Sequence, residues 1–483
     1  MQSSHLAPPA DRAPSEREPR DGFAIGLLVL ALLLGLVRFW RLGEWSLWYD
    51  EAATWFDLQA SLANPELHNK LGYSAIGALV RLLGGEPTEF NLRLLPAIAG
   101  WLVIPATWFA FRPVADARRA AAAALLVAAS SWHVYWSQNA RFYTLAQLTA
   151  LVGGGLVLRA LWNSRLWQAL AGCALVALAG LFHPSAVVLL PALCLAPWLL
   201  SPLRLPELEN SRRVRAALLA LLGAGALLGC AWAWRTWQTY LHRAPDSSTV
   251  HYLLTTGFYV TPLLGAAAFF GIFAAWVRRA AFGLIAALVV VLGLCAMLLC
   301  SLQVVVSAQY VFVLLPWIAI LAAWPLAHPP ERSRRGDAIA ACWLALLVLP
   351  ALASTLLYFG PRAGERPPWR EAYDYVWNQR ESGDLVLGME APVGEYYLDP
   401  QSTDLATPQR VPWLDRWRTQ RPREWATHAR RAWYVFNPEQ MKGWEPQDAR
   451  EFERFLRERC RLVKCFPLYV ETRDLSVWVY LRG

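Results

Sequence analysis

Apolar residues dominate this chain in long uninterrupted runs, and the runs are of a length that crosses a bilayer. The first extends from Phe23 to Trp40, and others recur at about 91–111, 119–136, 142–162, 166–182, 184–200, 214–234, 257–277, 281–301, 308–327 and 337–358, each closed by Arg, Pro or Gly. The pattern predicts about eleven transmembrane helices, hence a mainly α, polytopic membrane protein. Residues 1–22 are polar and Pro-rich and read as a cytoplasmic disordered tail. No small-residue cleavage pattern follows Trp40, so the first run reads as a retained span rather than a signal peptide.

Composition agrees: of 483 residues 56% are apolar and 17% charged, where soluble domains carry roughly a quarter charged. A single soluble domain is excluded. The stretch Leu71 to Leu83 is apolar but short and interrupted by Arg81, which suits a helix lying along the interface. Its status sets the orientation of everything after it. If it does not cross, seventeen Lys and Arg face the cytoplasm and eight the opposite side, and if it crosses the numbers reverse. The positive-inside rule selects the first arrangement. The net charge of +9, with only three lysines among the cations, therefore reads as a topology signal, and no nucleic-acid partner is expected.

From about Gly360 charges become frequent and apolar runs shorten. The pattern there predicts a helix over 366–381, strands at 384–389 and 431–436, a helix over 446–459, and strands near 462–470 and 475–481, a small α/β domain on the exoplasmic side. The expected organisation is a tail (1–22), a transmembrane catalytic domain (23–360) with an exoplasmic loop at 42–90, and an exoplasmic α/β domain (361–483). Eight tryptophans in the last of these suit core packing first, and an interface or glycan surface second. Six of the eight cysteines lie in apolar runs, and a disulfide between Cys460 and Cys465 requires that their region lie outside the cytoplasm.

The chemistry gathers on the exoplasmic face. The first loop contains Leu47-Trp48-Tyr49-Asp50-Glu51-Ala52, two adjacent carboxylates among aromatic rings. Charges in a bilayer core cost about 2.5–3.5 kcal/mol each on insertion scales, so acids at such a border call for a reason. One reading is an interfacial helix with an acidic start. The other is a general base that takes a proton from an acceptor hydroxyl, with its neighbour orienting the substrate. The topology collects His68-Asn69-Lys70, Arg93, Ser137-Gln138-Asn139-Ala140-Arg141, His183-Pro184, His242-Arg243 and Gln309-Tyr310 on that same face. Singly these have structural alternatives: His183 as a helix cap, Arg93 as a snorkelling cation, Gln309 at a tight turn. Together, cations beside a carboxylate pair make a site for a lipid phosphate.

The string Leu47-Trp48-Tyr49-Asp50-Glu51-Ala52 resembles the L-W-x-D-E-A of GT-C glycosyltransferases, the group of protein O-mannosyltransferases and aminoarabinose transferases. Leu92-Arg93-Leu94 with Pro96 is similar to that group's L-R-L-P, Ser137 to Tyr143 to its S-Q-E-A-R-x-Y, Phe182-His183 to its aromatic-His turn, and Pro368 to Ala372 to its D-W-R-x-A. Departures are Asn139 where relatives often carry Glu, and Gln309-Tyr310 where Arg-Tyr is frequent.

The resemblance implies a glycosyltransferase of the bacterial inner membrane. Its expected donor is a sugar linked through phosphate to a polyprenol, and its acceptor an envelope glycan, lipid or protein. It implies Asp50 as catalytic base with Glu51 positioning substrate or supporting the helix, and inversion in a single displacement. Lys70, Arg93 and Arg141 are expected at the leaving phosphate, and His68, Gln138, Asn139, His183, His242 and Tyr310 at the substrate. Neither a cofactor nor a divalent metal is expected, since one acidic pair makes no cage. The alternatives are a transporter or flippase of lipid-linked sugars, which would show two matching hydropathic halves, and an inactive relative that binds glycan carriers.

Overall fold

The computed structural model describes residues 21–59, 70–241, 248–326, 334–381, 383–389, 391–398, 431–442, 444 and 446–483. Helix α1 (Gly22–Gly35) starts where Asp21 accepts hydrogen bonds from the amides of Phe23 (3.1 Å) and Ala24 (3.3 Å). It is followed by α2 (Tyr49–Gln59), the amphipathic α3 (Lys70–Leu82), α4 (Glu89–Phe111), α5 (Ala117–Ala129), α6 (Ser131–Ser137), α7 (Tyr143–Asn163), α8 (Leu166–Phe182) and α9 (Leu189–Leu199). Helices at Arg212–Leu241, Thr249–Val260, Pro262–Val277, Ala281–Cys300 and Arg334–Phe359, with a 3₁₀-to-α segment near Ala308–Leu326, complete the apolar part.

Among the described residues seven helices are long and apolar enough to cross a membrane, or nine if each of two bent pairs counts as one. Two of the eleven predicted runs fall short. The run at 166–182 makes a helix of only 17 residues, and the run at 119–136 is broken at Ser130. Extended backbone at Ser130 ends α5, and its hydroxyl caps α6 by accepting from the His133 amide at 3.3 Å.

A break inside an apolar bundle leaves the last carbonyls of α5 without helical donors, and no water is at hand to replace them. Arg38, at the end of the first apolar run, answers this need. Its guanidinium donates to the carbonyls of Val127 (3.0 Å) and Ala128 (3.2 Å), and to His133 Nδ1 (2.9 Å). The His133 ring then meets Gln147 Oε1 through Nε2 at 2.8 Å, and Gln147 donates onward to the Phe312 carbonyl at 2.7 Å. This buried polar chain ties five helical segments together.

The C-terminal region carries a four-stranded sheet in the order β1 (Leu385–Gly388), β2 (Ala432–Phe436), β6 (Val477–Arg482), β3 (Arg461–Phe466), with a small separate ladder of β4 (Tyr469–Val470) and β5 (Arg473–Asp474). β1 and β2 run parallel, and the other neighbours antiparallel. Trp369, Tyr373 and Trp433 are fully enclosed in its core. Cys460 and Cys465 are both free thiols.

That core is not confined to the C-terminal region. Leu47, Ala52, Trp55, Ile76, Val80 and Leu92 from the first loop and its flanks belong to the same buried cluster as Trp369, Tyr373 and Tyr397. Polar bonds reinforce the joint: Tyr397 Oη accepts from the Leu47 amide (2.8 Å) and donates to Glu89 Oε1 (3.1 Å), while Arg370 reaches the carbonyls of Gly43 and Glu44 at 3.1 Å each. The acidic loop is thus one half of a folded unit whose other half lies at the far end of the chain.

Candidate active site

Helix α2 opens with Asp50 and Glu51 in its first turn, where the helix dipole favours anions. Adjacent helical side chains diverge by about 100°, so the two acids cannot share one environment. Glu51 is fully enclosed. Its Oε1 accepts from Arg93 Nε (2.7 Å) and the Ala140 amide (2.8 Å), and its Oε2 from Arg93 Nη2 (2.8 Å) and Arg366 Nε (3.2 Å). Burial alone would raise its pKa, but the guanidinium groups of Arg93 and Arg366 and the Ala140 amide together hold it below the ordinary glutamate value.

Arg93 is saturated in turn. Besides Glu51 it donates to the carbonyls of Leu42 (3.1 Å), Trp45 (2.9 Å) and Ser46 (2.9 Å), which uses all five of its N–H groups. A lipid phosphate, the partner expected for Arg93, would have to displace one of these bonds. Gln138, expected at the substrate, is also engaged by the protein: its amide donates to the carbonyls of Arg38 (3.2 Å) and Trp40 (2.6 Å) and accepts from Tyr358 Oη (3.2 Å). Glu51, expected in the catalytic pair, is closed off by its own partners.

Asp50 faces the other way. Its side chain is half-buried, and no described residue donates a hydrogen bond to its carboxylate. Arg141, in the turn between α6 and α7, approaches from the side: its Nη1 donates to the Asp50 carbonyl (3.2 Å), to Thr54 Oγ1 (3.0 Å) and toward Tyr73 Oη (3.5 Å). All its hydrogen bonds with described residues run through Nη1, and Nε has no hydrogen-bond partner among them. Burial works against the Arg141 charge, and the Asp50 carboxylate leads the groups that restore it. Thr54 and Asp57 follow Asp50 at i+4 and i+7, so α2 presents them on one face. Burial pushes the Asp57 carboxyl up, against the opposing pull of Tyr73 and Arg141. Burial first, with Asp57 behind it, raises Tyr73 to about 12, so its hydroxyl stays protonated.

The Arg141 guanidinium lies 4.8 Å above the Phe142 ring, and Phe142 in turn stacks 6.1 Å from His183. His183 stacks on Tyr310 at 5.3 Å, and its Nδ1 meets Ser185 Oγ at 2.7 Å. His183 and Tyr310 line a cavity of about 220 Å³ whose other walls include Trp237, Met297, Val304 and Val306. The structure thus brings Asp50, Arg141, His183 and Tyr310 into one neighbourhood. Asn139, two residues before Arg141, is enclosed with both amide atoms unpartnered among the described residues. His68, the Lys70 side chain and His242 lie outside the described residues. Among those described, no three His, Cys, Asp or Glu side chains converge.

Three participants are absent from the sequence-based expectations. Asp57 and Thr54 were legible as helical repeats of Asp50. Arg366 had no local signal: it meets Glu51 across 315 positions of sequence, stacks 4.5 Å over Tyr135, and follows a turn in which Ala363, Gly364 and Glu365 all have positive φ (46°, 64° and 56°).

A similar overall fold occurs in a solved protein. Across 96% of this chain and 98% of the other, the structure matches that of ArnT from Cupriavidus metallidurans bound to undecaprenyl phosphate, with a TM-score of 0.56 at 16% identity. The chain shares the ArnT fold. It also matches the oligosaccharyltransferase of Archaeoglobus fulgidus tethered to an acceptor peptide, over 87% of this chain and 70% of that one, with a TM-score of 0.53 at 13% identity. A second form of that archaeal enzyme, AglB in complex with an inhibitory peptide and a dolichol-phosphate, matches over 80% and 60% of the two chains, with a TM-score of 0.50 at 13% identity. No protein-family model matches the chain, and no curated protein is similar to it in sequence. What these likenesses share with this chain is the fold.

Proposed function

We propose that this protein is a membrane glycosyltransferase that moves a sugar from a polyprenyl-phosphate donor to a hydroxyl or phosphate on an envelope glycan, lipid or protein. The observation that carries the reading is the contrast between neighbours. Glu51 and Arg93 are closed on each other, whereas Asp50 has a carboxylate that no described residue occupies, beside an arginine with donor capacity in reserve. A base and an anion grip at one place are what a single inverting displacement needs.

In that reaction Asp50 takes the proton of the acceptor hydroxyl as its oxygen bonds to the anomeric carbon. The bond from that carbon to the phosphate oxygen breaks with its electron pair on the oxygen, and Arg141 stabilises the growing charge through its Nε and Nη2 groups. The proton remains on Asp50. The prenyl chain next to the phosphate lies in the apolar cavity behind His183 and Tyr310. The solved ArnT with undecaprenyl phosphate, and the archaeal enzyme with dolichol-phosphate, support a donor of this kind. The orientation proposed places residues 1–22 in the cytoplasm and the C-terminal region on the opposite side of the inner membrane, and the reaction as written needs no cofactor.

The deciding measurement is consumption of polyprenyl-phosphate sugar by purified protein, wild type against Asp50→Asn. Consumption by the wild type alone supports the proposal. An intact donor in both would favour a carrier of lipid-linked sugars, or an inactive binder.

A further inference from the structure

A second cavity, of about 140 Å³, lies where several helices are interrupted at once. Ser131, just after the break that ends α5, contributes one wall, and Thr261, at an 87° bend between Thr249–Val260 and Pro262–Val277, contributes another. Ser354, near the end of Arg334–Phe359, and Glu365, in the turn that leads to Arg366, complete it.

Its chemistry differs from that of the apolar cavity behind His183. The hydroxyls of Ser131, Tyr259 and Ser354 have no hydrogen-bond partner among the described residues. Beside them the largely enclosed Trp132 ring, stacked 5.7 Å from Tyr259, adds an apolar lining. The charges at the rim close on one another. Glu365 accepts from Arg473 at 2.8 Å and lies 3.6 Å from Arg362, which also pairs with Glu471. A wall of open hydroxyls and aromatic faces, with its charges internally neutralised, suits an uncharged ring rich in hydroxyl groups and disfavours an anion.

The backbone supports the same conclusion. Thr261 at φ 64° and Glu365 at φ 56° both line the cavity, in a region of conformational space that costs a β-branched or long side chain about 1–3 kcal/mol. Such strain is retained where the surroundings enforce it, commonly around a ligand. The cavity also touches the catalytic loop. Tyr135 forms part of its wall, and the guanidinium stacked on that ring is Arg366, which holds Glu51.

We propose that this cavity is a monosaccharide subsite, one that receives a neutral glycosyl ring through Ser131, Tyr259 and Ser354 against the faces of Trp132 and Tyr135. This deepens the glycosyltransferase reading and rests on it for the source of the ring, which is either the donor sugar or a sugar of the acceptor.

The test uses full-length protein in nanodiscs and saturation-transfer NMR with methyl glycosides of glucose, mannose and arabinose, with cyclohexanol as an apolar ring of similar size. At least one glycoside should give a signal several-fold above cyclohexanol, and Tyr259→Phe with Ser354→Ala should reduce it at least fivefold while leaving thermal unfolding within 2 °C. Equal signals from cyclohexanol, or an unchanged glycoside signal in the double variant, would overturn the subsite. No donor lipid is present, so glycoside binding that persists in a protein without transferase activity sinks the proposed function and spares the subsite. Loss of transfer in Asp50→Asn alongside an unaffected double variant does the reverse. In the transfer assay, a rise in KM for the polyprenyl donor in Tyr259→Phe identifies the ring as the donor's, and a rise for the acceptor identifies it as the acceptor's.

Discussion

Glu51 and Arg93, 42 residues apart in sequence, form a two-point ion pair at 2.7 and 2.8 Å with no solvent on either side chain. Removing one partner of a buried pair leaves the other charge uncompensated, at a cost of about 3–5 kcal/mol. Glu51→Gln should therefore lower thermal stability strongly, and whatever protein still folds should retain donor consumption at low temperature. A stable Glu51→Gln protein that has lost all turnover would reassign Glu51 to the chemistry.

Asp50→Asn should do the opposite. Its carboxylate has no hydrogen bond from a described residue to lose, only its field on the buried Arg141, so the unfolding temperature is expected to fall much less than in Glu51→Gln. Loss of a general base costs about 10²–10⁴-fold in rate, and kcat for transfer should fall in that range. Retention of more than a tenth of the activity would remove Asp50 from its proposed role.

Arg141→Lys keeps the charge but discards the planar fork. Because Nε and Nη2 are the donors proposed for the leaving phosphate, the substitution should weaken donor binding and slow transfer, visible as a higher KM for the lipid donor together with a lower kcat. Arg93→Lys should change stability first, since every N–H of Arg93 holds protein atoms. Equal effects of the two substitutions on activity at fixed stability would erase the distinction.

The clamp on Glu51 also sets a pH dependence. Its folded pKa lies below the ordinary 4.5, so the folded state gains stability from this group above that value and loses it as pH falls through the folded pKa. Wild-type unfolding temperature in nanodiscs should drop as pH is lowered from 5 toward 3, and Glu51→Gln should show a shallower drop. Parallel curves would mean that other carboxylates govern the acid limit.

Gly364 has φ 64°, and a Cβ placed there would stand 2.5 Å from Trp45 Cδ1. Gly364→Ala meets both obstacles, so it should destabilise by about 1–3 kcal/mol, read as a lower unfolding temperature. It should also loosen the adjacent Arg366 contact with Glu51. An unfolding temperature equal to wild type would show that the turn yields without cost.

Much of the architecture was legible because hydropathy has a fixed length scale. Runs of span length, the short amphipathic segment at α3 and the alternating pattern of the C-terminal strands are local properties, and helices or strands occur at each of them. What could not be read was partnership. Asp50 and Glu51 are chemically near-equivalent in the chain, and distant partners decide which is enclosed: Arg93, the Ala140 amide and Arg366, the last 315 residues away, all close on Glu51. Arg38 reads in the sequence as one more exoplasmic cation, yet it is fully buried on the broken end of α5, because a helix break within an apolar run gives no sign of which distant donor will mend it. Arg93 reads two ways for a related reason: a cation beside an acid looks the same whether it waits for a phosphate or already holds the acid.

The amide of Leu47 and the hydroxyl of Tyr397 are 350 residues apart. At a synthesis rate of about 5–20 residues per second, roughly 20 to 70 s separate the emergence of the segment bearing Asp50 from that of the tyrosine that anchors it. For that interval Leu47, Trp55 and Ile76 lack the hydrophobic cover of the C-terminal region, and the nascent loop is left to be shielded by the bilayer surface or by a chaperone. Maturation of the site is thereby coupled to completion of translation, and a ribosome that stops short of Tyr397 leaves a fully threaded bundle with an unfinished loop.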